Sequence, residues 1–136
     1  MRLLLPLVLA GALASAGSAG SRPVTRDVSL DALVRGDTIR EYRGLYETGF
    51  EVSWFHPCDA QPGDHTWWVT LTDPALEQRD SLAKKLTGQP RSVFVRWRGT
   101  TSMKMPAGHM GRGTRYMLVS EVLELRPAEE AGCATA

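Results

Sequence analysis

The order in which the hydrophobic pattern changes period constrains this chain more than any other feature. Three segments with a two-residue alternation come first, one segment with helical spacing follows, and two more alternating segments complete the pattern. Successive side chains on a strand point to opposite faces, whereas residues three or four apart share one face of a helix. In the first stretch, Thr38 to Thr48, charged residues alternate with bulky ones and Gly44 interrupts the run. A lone Gly in a strand marks a bulge or a close backbone approach. Thr48-Gly49 reads as a tight turn into Phe50 to Cys58, where Phe50, Val52 and Trp54 form the stripe expected to face the core. Residues 59–64 are a loop by composition, and His65 to Leu71 carries Trp67, Trp68 and Val69. Adjacent tryptophans on a strand must diverge. One fills the core, and the other needs the helix, a neighbouring loop or a ligand to cover it.

Asp73-Pro74 predicts a helix start, with Asp as cap and Pro at the first helical position, where its missing N–H loses nothing. Ala75, Leu76, Leu82, Ala83 and Leu86 fall on one side, and Gly88 and Pro90 stop the helix. Ser92 to Thr100 then sets Val93, Val95 and Trp97 against Phe94, Arg96 and Arg98, and Tyr116 to Leu125 sets Met117 and Val119 against Tyr116 and Leu118. Three strands, a helix and two strands is the order of the oligonucleotide/oligosaccharide-binding (OB) fold. The expectation is a mainly β domain over residues 38–126: a small five-stranded OB-like Greek-key barrel with one α-helix between strands 3 and 4. A bent, Gly-interrupted first strand suits a barrel, because that strand serves both halves. Another small β roll of the same content is the alternative.

Arg2, the apolar run Leu3 to Leu13 and the small residues Ala14-Ser15-Ala16 read as a signal peptide over residues 1–16, with cleavage after Ala19 as the alternative. The run is shorter than the roughly 20 apolar residues that span a bilayer, so no transmembrane segment is expected after cleavage. The periplasm or the exterior is the expected location. Residues 17–37 read as a flexible lead-in with a helical turn at Ser29 to Val34, and residues 127–136 as a flexible tail. The chain has 16 Lys and Arg against 15 Asp and Glu, and losing residues 1–16 removes only Arg2, which balances the charge. Nothing electrostatic then favours nucleic acid as a partner. A monomer is expected. Cys58 and Cys133 form an even pair that an oxidising compartment would bridge, stabilising the fold by about 4 kcal/mol in principle. The other reading leaves Cys58 buried and unpaired, with Cys133 in a loose Ala/Gly tail.

Chemistry-bearing residues gather in two places. Arg91, Arg96, Arg98, Lys104, Arg112 and Arg115 cluster on strands 4 and 5 and their loop, which borders the usual binding face of this fold. Trp97, Arg96, Arg98, Lys104, Arg112 and Tyr116 are the candidate ligand-binding residues, and an envelope protein, a glycan or a lipid head group is the expected partner. The bland alternative is a solvated face matched by Glu121 and Glu124. In the loop itself, Met103 and Met105 share one side of an extended backbone, and His109 and Met110 follow. Thioether and imidazole suit a soft monovalent ion, so a copper or silver site at Met103, Met105 and His109, with Trp97 over it, is the second reading. Against it stands a packing role for the methionines. His56 beside Cys58 gives a third reading, a thiol-based enzyme. Zinc on His56, Cys58, His65 and His109 matches no known ligand spacing. No acid–base pair, phosphate-cradling loop or nucleophile motif appears, so no catalytic residue and no cofactor is assigned, and binding is expected in preference to catalysis.

The run Gly44-Leu45-Tyr46-Glu47-Thr48-Gly49-Phe50-Glu51-Val52-Ser53-Trp54-Phe55-His56-Pro57-Cys58, with Trp67-Trp68 and Gly108-His109-Met110-Gly111, resembles a group of small exported bacterial β-barrel proteins of OB-like type without an established activity. The resemblance covers roughly residues 38–125 and implies compartment and fold, with no mechanism. The chain is also similar to the OB-like domain of envelope lipoproteins that sense copper and surface contact, but it lacks their lipid-attachment Cys. The Met, His and Trp set is similar in outline to the periplasmic copper chaperone of copper/silver efflux systems, which implies a copper site on those side chains.

Overall fold

A computed structural model describes residues 30–128 and Cys133. The expected leader and most of the lead-in and tail lie outside the described residues. A short helical turn, α1 (Leu30–Leu33), precedes five strands: β1 (Arg40–Gly49), β2 (Val52–Pro57), β3 (Trp67–Leu71), β4 (Ser92–Thr101) and β5 (Arg115–Pro127). One helix, α2 (Asp73–Ala83), lies between β3 and β4. The strands close into a barrel in the order β1-β2-β3-β5-β4. β4 returns to β1 antiparallel, and β3 pairs with β5 in parallel. This is the expected mainly β, OB-like barrel with its single intervening helix.

The core follows the alternation of β4 and β5. Val93, Val95, Trp97, Met117 and Val119 point inward and are buried, joined by Tyr46, Phe55, Trp67 and Val69. Trp97 is fully buried, with its ring centroid 5.1 Å from that of Tyr46 and 5.0 Å from that of Phe55. Gly44 is a close approach: a Cβ there would stand 2.2 Å from the His56 carbonyl oxygen. Only a residue without a side chain lets β1 and β2 meet at that point.

Four local expectations change. Phe50 and Glu51 form the β1–β2 turn instead of entering β2, and Phe50 is 90% exposed. Phe55, not Trp54, is the aromatic of β2 that enters the core. The α2 cap is Thr72, whose hydroxyl accepts from the Ala75 amide at 3.4 Å, so the helix starts at Asp73 with Pro74 second. It ends at Ala83, and only Ala75, Leu82 and Leu86 of the expected stripe pack on the barrel. Gln78 faces the barrel instead. Its side-chain oxygen accepts from the Val122 amide at 2.8 Å. The β4–β5 register shifts between Arg96 and Trp97 at this level. The helix therefore supplies a partner where an irregular ladder would strand an amide.

Candidate functional site

The loop between β4 and β5 is a tied structure. The Ser102 amide donates to the Tyr116 carbonyl at 2.9 Å, and the Met105 amide to the Thr114 carbonyl at 2.8 Å. Ala107 and Gly113 exchange both backbone hydrogen bonds, at 3.0 and 2.8 Å. A 3-10 turn at His109–Gly111 forms the tip. Thr114 then donates to the Thr66 carbonyl at 2.7 Å, which draws the loop across to the start of β3.

Two glycines let this loop lie on aromatic rings. Trp54 and Trp68 pair edge to face on the outside of β2 and β3, with centroids 4.9 Å apart. A Cβ on Gly108 would fall 2.2 Å from Trp68 Cε3, and one on Gly113 would fall 2.8 Å from Trp54 Cζ3. Gly108 also has φ of 69°, a left-handed conformation that side chains disfavour. The cover that the second tryptophan of the Trp67-Trp68 pair requires is thus the β4–β5 loop.

Asp64 locks the arrangement from beneath. Its carboxylate is buried and accepts from Trp67 Nε1 at 2.9 Å, Thr114 Oγ1 at 2.7 Å and Arg115 Nε at 2.6 Å. Arg115 Nη1 also donates to the Ser102 carbonyl at 2.9 Å. Burial alone would raise the Asp64 pKa. The hydrogen bonds from Arg115, Thr114 and Trp67, together with the Arg115 charge, outweigh it and hold the carboxyl below the usual range. One carboxylate thereby joins the 59–64 loop, β3 and the end of the β4–β5 loop, and Arg115 carries the link on to the start of that loop at Ser102.

Apolar side chains project from this scaffold. Phe50 is 90% exposed, Met103 83% and Met110 77%. His109 Nδ1 stands 3.8 Å from Glu51 Oε2, so the tip of the loop meets the β1–β2 turn. Glu51 has φ of 53° and Met110 of 54°, the two non-glycine left-handed residues among those described. One is a partner in that contact and the other follows His109 directly. Such a backbone costs of order 1 kcal/mol per residue and persists where the surroundings dictate it.

The candidate ligand residues of the sequence divide: Trp97, Arg96 and Arg98 fall away from this surface, and Lys104 and Arg112 lie on the loop. Trp97 is corrected outright: it lies fully inside the barrel and reaches neither a surface ligand nor a metal on the loop. Arg96 donates to Glu41 at 3.1 Å and to Glu124 at 3.2 Å, and Arg98 donates to Glu121 at 3.1 Å. The hydrogen bonds that Arg96 donates to Glu41 and Glu124 raise its pKa above the ordinary value. Arg126 lies 4.7 Å over the Phe94 ring, and its Nε makes a charge contact with Glu124 at 2.7 Å without hydrogen-bond alignment. These arginines belong to a self-neutralised ladder. Lys104 and Arg112 are exposed on the loop, and Tyr116 is half-buried with its amide on Ser102 Oγ.

Of the soft-metal set, Met103 is exposed, Met105 half-buried and His109 turned to Glu51. Cys58 and Cys133 are joined in a disulfide, which resolves the open cysteine reading and leaves Cys58 no thiol for nucleophilic attack. The zinc set is dispersed as well. His56 engages Glu47 at 3.0 Å and the His65 carbonyl at 3.2 Å. Sequence reasoning missed Trp54 and Trp68 as an outer pair, and Asp64 as the lock. The available signal was the pair of glycines at 108 and 113 together with the one tryptophan of the Trp67-Trp68 pair left in need of cover.

Among the described residues no helix is long and apolar enough to cross a membrane. No protein-family model, curated protein or solved structure matches the chain.

Proposed function

We propose that this chain is an exported accessory protein that binds a partner protein of the cell envelope, acting as a monomer in the periplasm or outside the cell. The carrying observation is the exposure of Phe50 on the β1–β2 turn and of Met110 on the β4–β5 loop tip, which meet where His109 approaches Glu51 on a loop held by backbone hydrogen bonds and the Asp64 lock. Exposed apolar side chains on a pre-ordered loop favour association, because little ordering entropy remains to be lost on binding. The Cys58–Cys133 bridge supports an oxidising compartment. A protein surface is favoured over a glycan or a lipid head group because the arginines nearest the loop on β4 are already paired with acids.

Site-specific photo-crosslinking in the native compartment tests this reading. A benzophenone side chain at position 50 is expected to give a discrete protein adduct that disappears when Met110 is changed to Ser. The same probe at position 98 should give none. Identical adducts from both positions, or none from position 50, would reject it.

A further inference from the structure

A second, unrelated site lies at the C-terminal end of α2. A cleft of about 680 Å³ opens between the last turn of α2, the 84–90 segment and the ends of β1 and β4. Small-molecule sites typically occupy about 300 to 1,000 Å³, so the space suits a ligand and exceeds a packing defect. Its floor is core: Tyr46, Val93 and Leu125 are all at least nine-tenths buried, and Leu86 packs beside them. The Tyr46 hydroxyl stands 3.3 Å from Ser53 Oγ, which itself donates to the Val69 carbonyl, so the polar atom of the floor is satisfied inward.

The rim carries charge on the helix side. Arg79 and Lys84 line it together with Asp80. Arg79 is largely buried for an arginine, with its side chain 25% exposed. It directs Nε and Nη2 to a single oxygen of Asp80, at 2.9 and 2.6 Å. A guanidinium has five N–H donors, so the Asp80 pair uses a minority of them. Burial lowers the Arg79 pKa, but Asp80 and the Tyr46 hydroxyl outweigh it and keep the group firmly cationic. An apolar floor with a cationic edge selects a molecule that is apolar along its length and anionic at one end.

We propose that this cleft binds a single-chain carboxylate amphiphile, its apolar body on Val93, Leu86 and Leu125 and its carboxylate on Arg79 with Lys84 nearby. In that arrangement Asp80 acts as an internal competitor for the guanidinium. Its removal should strengthen binding, an effect that damage to the fold would not imitate. The site is independent of the loop surface proposed above.

Decanoate, held below its micellar concentration, is titrated into the disulfide-bonded protein, with decanol and decyltrimethylammonium as neutral and cationic comparisons. Saturable binding of decanoate is expected, about tenfold tighter than of either comparison. Arg79→Met should erase that preference, Asp80→Asn should tighten decanoate severalfold, and Ala83→Trp should block the cleft to all three. Equal affinity for the three amphiphiles, absence of saturable decanoate binding, or variants at 79 and 80 that behave like the parent would overturn the assignment. Thermal unfolding of each variant separates loss of binding from loss of fold.

Discussion

The two outer faces of the barrel solve opposite problems. On the β1–β4–β5 face, register places Arg96 opposite Glu124 and Arg98 opposite Glu121, and charge is cancelled across strands. On the β2–β3 face, two tryptophans have no strand or helix above them, and the β4–β5 loop supplies the cover. The first face is a surface made inert by pairing. The second is an outer layer of core, built with glycine, a buried carboxylate and a tied loop. A cluster of basic residues in sequence therefore says little about binding until its acids are located, whereas a small-residue loop beside unplaced aromatics says a good deal about packing.

The comparison breaks first at Asp64. Asp64→Ala should cost about 3 kcal/mol in chemical denaturation, because it leaves the half-buried Arg115 without its carboxylate and the buried Trp67 indole N–H beside a void. A loss below that of an ordinary surface substitution would mean the loop is held by other means. Gly108→Ala should cost about 2 kcal/mol, combining a contact no Cβ tolerates with a left-handed backbone. Near-ultraviolet dichroism should change with it as the Trp54–Trp68 pair is displaced.

Acid sharpens the contrast. The Asp64 carboxyl titrates lower folded than unfolded, so its stabilisation is complete above the unfolded value near pH 4 and is lost as pH falls through the lower folded value. Asp64→Asn should flatten this part of the stability–pH curve. The smallest effect belongs to the charged face: Arg98→Ala should change stability by about 0.5 kcal/mol or less, since exposed pairs contribute little. A larger loss would show that the ladder carries part of the fold.

The strand order, the helix and the barrel were legible because each element's period is set by burial on one side. Legibility failed where both sides are covered. In β2, Phe55 packs inside while Trp54 packs outside under the loop, so alternation offered two apolar faces and no means of choosing. Phe50 added to the confusion by standing in the turn with its ring in solvent. Trp97 invited a ligand role through its arginine neighbours, yet period two places it on the opposite face from both. The helix cap shifted by one residue because Thr72 and Asp73 are both competent caps and only the backbone direction out of β3 selects between them. The disulfide stayed open because local composition does not indicate where a tail returns.

The position of β5 has a temporal consequence. The last of the five described strands sits between β3 and β4 and closes the sheet against both. Until residue 127 is available, two hydrogen-bonding edges stay unfilled, and the inner side chains of four strands have no ring to enclose them. A product shortened ahead of Arg115 would not be a smaller barrel but an adhesive open ribbon. For this chain, maturation is an event of the final strand.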